Sequence, residues 1–208
     1  MEEINYLLIV ISALAAIASP GPATLAIAGA SMKQGRRAGV CLAFGVLSGS
    51  LFWSTSAAFG LAAILHTNVW LFEVFRYCGA LYLLYLAVKS LRSAFSTAPL
   101  TLPANQAMTA KGCYLSGLLI HLTNPKAILF FAALYSIGVP PTASPLALLS
   151  VILVVGALSS LIFLGYAVLF SYSGVRRIYL KSKRVFESVF AVFFGAASLK
   201  LLISGAGK

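Results

Sequence analysis

Long apolar runs separated by short polar connections make up this chain, and six of them are long enough to cross a bilayer, which takes about 20 residues each. They fall at roughly 4–30, 38–65, 70–92, 112–138, 145–172 and 184–204. The longest polar stretch, 93–111, carries Ser, Thr, Pro and Asn and reads as a loop at the midpoint of the chain. The first run follows Met-Glu-Glu with no basic segment ahead of it. It is therefore expected to be a spanning helix rather than a signal peptide.

Two of the runs are interrupted. The first contains Ser19-Pro20-Gly21-Pro22, where proline removes a backbone donor and clashes with the preceding turn. The fourth contains Thr123-Asn124-Pro125-Lys126. Pro22 lies 11 residues from Lys33 and Pro125 lies 14 from Lys111. At about 1.5 Å per residue both are near the bilayer centre. Each half of the chain thus opens with a helix broken at depth. An odd number of spans per half inverts the second relative to the first, the footprint of inverted-topology repeats. The expected fold is an all-α membrane protein of six transmembrane helices. They form two inverted three-helix repeats, 1–92 and 112–208, joined by a cytoplasmic loop, 93–111, with the first and fourth helices broken. The alternative is that both prolines are plain kinks.

Composition agrees. Of 208 residues, 61% are hydrophobic and 9% charged, too little charge for the surface of a soluble domain of this length. The mean hydropathy is +0.98. A net charge of +11 would suggest nucleic acid in a soluble protein, but these cations flank hydrophobic runs, so no nucleic-acid partner is expected; the partner is the lipid bilayer. Lys33, Arg36 and Arg37 lie on the first connection, Lys89, Arg92 and Lys111 on the third, and Arg176, Arg177, Lys181, Lys183 and Arg184 on the fifth. The second and fourth connections have none. The positive-inside rule makes the odd connections cytoplasmic, with both termini outside if all six runs span.

Polar residues at membrane depth are the candidate chemistry. A Lys near the bilayer centre costs roughly 2.5–3.5 kcal/mol on insertion scales, so Lys126 must face a cavity or a partner. It is either a counter-charge for an anionic substrate group or a partner for backbone carbonyls at the helix break. The broken helices would expose new N-termini at Pro22 and Pro125, whose partial positive charge suits a carboxylate. The expected substrate-binding residues are Ser19, Gly21, Pro22, Thr24, Tyr82, Asn124, Pro125 and Lys126. His121, one turn before Pro125 and on the same helix face, is either a proton relay or a hydrogen-bonded structural residue. The chain has no Asp, and Glu73 and Glu187 read as local ion pairs near membrane edges. Cys41, Cys78 and Cys113 are far apart, so neither a metal site nor a redox pair is expected, and no cofactor. Gly45 and Gly49 form a Gly-x-x-x-Gly face that serves packing within the monomer or, alternatively, a homodimer contact.

Four segments carry a resemblance: Ser19-Pro20-Gly21-Pro22; Gly35-Arg36-Arg37-Ala38-Gly39 leading to Gly45 and Gly49; Gly79-Ala80-Leu81-Tyr82-Leu83-Leu84-Tyr85-Leu86; and Asn124-Pro125-Lys126-Ala127-Ile128-Leu129-Phe130-Phe131. In this order they resemble the LysE family of bacterial amino-acid exporters, including the homoserine and threonine exporter branch. The resemblance implies a multi-pass protein of the bacterial inner membrane that exports amino acids or related small metabolites, driven by protons. The family often has a polar or acidic residue directly after Pro-Gly-Pro, where this chain has Ala23. The rival readings are a membrane-embedded enzyme, a structural membrane scaffold and a carrier of metal ions or electrons. The first needs a nucleophile–base pair or a metal-ligand cluster, and the sequence shows neither.

Overall fold

The computed structural model describes residues 4–19, 21–67, 77, 80–81, 84–85, 87–92, 94–95, 108–140 and 142–203. Among these residues seven helices have described bounds: α1 (Tyr6–Ala18), α2 (Pro22–Gln34), α3 (Arg36–Thr67), α4 (Ala110–Leu122), α5 (Pro125–Gly138), α6 (Pro145–Leu169) and α7 (Ser173–Ile203). Their starts are written locally. The side-chain oxygens of Asn5, Thr109 and Ser144 accept from the backbone N–H groups of Leu8, Gly112 and Ala147 at 3.0, 3.2 and 3.2 Å, satisfying donors that a helix start leaves open. Proline is the first residue of α2, α5 and α6, where its missing N–H costs nothing and its fixed φ suits the helix. Gly35, at φ +86°, makes the tight turn from α2 into α3, a backbone region that side chains disfavour.

α3 and α6 are each long and apolar enough to cross a membrane. The pairs α1–α2 and α4–α5 reach that length only when each bent pair counts as one span, with bends of 51° and 57°. The described residues therefore hold up to four spans, against the six expected. The third expected run, 70–92, lies largely outside the described residues, though those described within it are helical. The sixth run falls in α7, whose apolar stretch Glu187–Ala196 is shorter than a span. The fifth connection differs from expectation: Arg176–Arg184 lies inside α7 rather than in a loop. Charge excludes a segment from hydrocarbon, but Lys and Arg are good helix formers, so it does not end the helix. Glu187, expected at a membrane edge, is 5% exposed and buried against the bundle.

Packing pairs the two halves crosswise. α1 lies on α5 and α6, and α4 lies on α2 and α3. The chain entering α1 bonds to the end of α5, with the Asn5 N–H donating to the Gly138 carbonyl at 3.1 Å. The chain entering α4 bonds to the end of α2, with the Met108 N–H donating to Gln34 Oε1 at 2.9 Å. Tyr6 pairs with Ser150 of α6 at 2.6 Å, and Tyr114 with Ser48 of α3 at 2.9 Å. Such bonds between membrane helices are each worth about 0.6 kcal/mol.

The closest packing is α3 on α4. A Cβ at Gly45 would collide with the Tyr114 carbonyl, and one at Gly117 with the Leu42 carbonyl. A Cβ at Gly49 would lie 3.0 Å from the His121 Cβ. The Gly45–Gly49 face is thus filled by α4 within the chain, as the small-residue packing rule allows, and it is not open to a second copy. Large apolar side chains point outward, among them Leu146 at 76% and Leu161 at 72% exposure. In water such a surface would aggregate; against lipid it is the expected exterior.

Candidate functional site

The two helix breaks meet at one cavity, and each begins with the same deficit. In a continuous helix the carbonyl of residue i accepts from the N–H of residue i+4. Pro22 and Pro125 have no N–H, so the carbonyls of Ala18 and His121 lose their ordinary donors.

At the first break Ser19 (φ −63°, ψ 132°) and Gly21 (φ −147°, ψ 179°) are extended. Side chains from the other half supply the missing donors. The Tyr166 hydroxyl of α6 donates to the Ala18 carbonyl at 2.9 Å. Lys126 Nζ of α5 donates to the Ser19 carbonyl at 3.0 Å. A helix C-terminus carries partial negative charge, so the end of α1 suits an ammonium. No side chain caps the N-terminus of α2.

The second break satisfies itself. Thr123 (φ −92°, ψ 2°) turns the chain, and its N–H and Oγ1 both donate to the Leu119 carbonyl, at 3.0 and 2.8 Å. The Asn124 N–H takes over the His121 carbonyl at 3.2 Å. Asn124 Oδ1 caps α5 by accepting from the Lys126 N–H at 3.0 Å. Both interruptions are thus true helix ends rather than kinks in continuous helices. His121 and Pro125 were expected on one helix face, but the turn at Thr123–Asn124 puts them on different helices.

The cavity is partly open and measures about 40 Å³. That is room for a few waters at roughly 10–15 Å³ each. Of the residues singled out in the sequence, Ser19, Gly21, Thr24, His121, Asn124 and Lys126 all line it. Pro22 is exposed at the start of α2, and Pro125 opens α5. Pro22 is not among the lining residues. Tyr82 lies outside the described residues. The sequence reading missed Ser50, Phe130, Phe131 and Phe163 on the walls. Ser50 carried a signal, as a hydroxyl in the small-residue run of α3. The phenylalanines carried none, being indistinguishable from lipid-facing ones. Tyr166 was missed as well; a buried Tyr hydroxyl needs a partner, and the proline-orphaned Ala18 carbonyl is that partner.

Lys126 is the cation of this cavity, and its stem runs along Gly21, where a Cβ would sit 3.4 Å from Nζ. His121 is 5% exposed, and among the described residues neither ring nitrogen has a hydrogen-bond partner. Its ring meets Phe163 edge-on, with centroids 6.1 Å apart. Ser50 Oγ, also buried, is 3.4 Å from Ser159 Oγ. An ammonium, an uncapped helix N-terminus, an imidazole with open valences and an aromatic wall suit a small solute with one carboxylate.

Residues 14–205 match the family described as LysE type translocator. The chain belongs to the LysE family. It is a translocator, and a multi-pass protein of the bacterial inner membrane. It is 26% identical to the threonine efflux protein of Escherichia coli (strain K12) over 201 residues, 96% of this chain and 98% of that one. It is 30% identical to the membrane protein YahN of the same strain over 191 residues, 90% of this chain and 84% of that one. It is 33% identical to the leucine efflux protein of Salmonella choleraesuis (strain SC-B67) over 133 residues, 64% of this chain and 62% of that one. No solved structure matches the translocator.

Proposed function

We infer that this translocator exports amino acids, binding them in the cavity between the two helix breaks. The observation that carries the reading is the reach of Lys126 from the second break to the Ser19 carbonyl of the first. In this structure the ammonium is held by a neutral carbonyl. A carboxylate is a stronger acceptor for it, so an incoming amino acid displaces Ser19 and takes Lys126. The uncapped amides at the start of α2 complete the carboxylate site. Asn124, Thr24 and Ser19 meet the amino group.

Passage of a bound amino acid from one side to the other requires the two breaks to separate. Alternating access supplies that motion. Residues 1–92 and 112–208 act as inverted repeats, joined by a cytoplasmic loop at 93–111, and rock about the site. The crosswise packing of α1 on α5 and of α4 on α2, each with a bond at its entry, supports this arrangement. Export is proton-driven, as the resemblance to the LysE family implies.

The test is export from loaded cells across a panel of amino acids, with and without a pH gradient. The reading expects at least one small neutral amino acid to leave faster than from cells lacking the protein, and the gradient to raise that rate. No export of any amino acid would remove the reading, and a rate indifferent to the gradient would remove proton coupling.

A further inference from the structure

We propose that His121 is the residue that reads the substrate's side chain, favouring an amino acid that carries a hydroxyl. This rests on the cavity being the amino-acid site. Buried polar side-chain atoms are nearly always hydrogen-bonded. His121 departs from that rule at both ring nitrogens while facing a cavity. A neutral imidazole presents a donor on one nitrogen and an acceptor on the other, and a hydroxyl can accept from the first or donate to the second. An aliphatic side chain at the same place can do neither.

The ring is held for this purpose. Gly49 makes room for its Cβ, and the edge-on Phe163 fixes the other side. His121 and Lys126 flank the break at Thr123–Asn124 and line the same cavity. A substrate anchored by its carboxylate at Lys126 therefore presents its side chain within range of the imidazole. The remaining wall there is Phe130, Phe131 and Phe163, with the Ser50 hydroxyl as the second polar group. A proton relay would need a chain of donors and acceptors leading away from the ring. Among the described residues the ring nitrogens have no such partner.

The test compares export of radiolabelled L-threonine and L-valine, which differ by a hydroxyl in place of a methyl. Wild type, His121→Gln and His121→Leu are measured at matched amounts of protein in the membrane. Thermal stabilisation of the purified proteins by each amino acid gives an independent readout of binding. Wild type should favour threonine roughly 10-fold, the worth of one neutral hydrogen bond. His121→Gln, which keeps a donor and an acceptor but cannot relay a proton, should retain most of that preference. His121→Leu should export both amino acids at near-equal rates. If His121→Leu does not reach the membrane, His121→Phe carries the same expectation. An unchanged ratio in the apolar variant overturns the proposal, as does a Gln variant as impaired as the Leu variant. Wild type that exports valine but shows no threonine preference overturns it while leaving the amino-acid site standing. Wild type that exports neither overturns it as well, and export of no amino acid across the panel overturns both.

Discussion

The two helix breaks start from the same loss of a backbone donor and make it good in different ways. The second break is local: Thr123 and Asn124, the residues of the turn itself, supply the hydrogen bonds, and Asn124 caps the helix that follows. The first break is not. Ala18 and Ser19 depend on Tyr166 and Lys126, both from the other half of the chain, and α2 has no side-chain cap. Aligned on their prolines, Ala18, Gly21 and Ala23 stand where the second half has His121, Asn124 and Lys126. One side is small and borrows its hydrogen-bond donors; the other carries the polar groups and lends them. A pre-organised break facing a dependent one is a natural hinge for alternating access. On the proposed reading, a substrate that takes Lys126 from Ser19 removes a bond that ties the first break to the second half.

The comparison can be broken from its strongest point downward. Lys126→Ala should have the largest effect, reducing export by roughly 10–100-fold, as expected when a hydrogen bond to a charged group is lost. Transport at the normal rate in that variant would remove the residue from the mechanism. Tyr166→Phe leaves the buried Ala18 carbonyl unmet at a cost of about 1–3 kcal/mol, and should lower the melting temperature of purified protein by several degrees. Asn124→Ala removes a helix cap worth about 1 kcal/mol, so its shift should be smaller. If Asn124→Ala proved the more destabilising of the two, the first break would not be the dependent one. Thr123→Val should shift the melting temperature least, because the Thr123 N–H still donates to the Leu119 carbonyl.

Much of this was legible in the sequence because proline and an intramembrane cation have few structural options. Pro22 and Pro125 marked both breaks, and Lys126 marked the cavity. The two sequence readings of Lys126, counter-charge or partner of a carbonyl, meet in one geometry, since the carbonyl it holds belongs to the opposite break. His121 was visible as polar but not as unpaired, because pairing depends on what tertiary packing brings to it. The aromatic wall was illegible: Phe130, Phe131 and Phe163 have the same chemistry as residues that face lipid. The helical course of Arg176–Arg184 was missed because charge reports depth in the membrane and not backbone geometry.

The most direct measurement is binding of L-threonine and of L-threonine methyl ester to purified wild type and Lys126→Met. The ester keeps the side chain and the amino group and loses the anionic charge. Wild type should bind the free acid at least 10-fold more tightly than the ester, the least expected of a charge-assisted hydrogen bond, and Lys126→Met should bind both weakly and alike. Equal binding of acid and ester by wild type, or a preference for the acid that survives in Lys126→Met, would place the carboxylate somewhere other than between the two breaks.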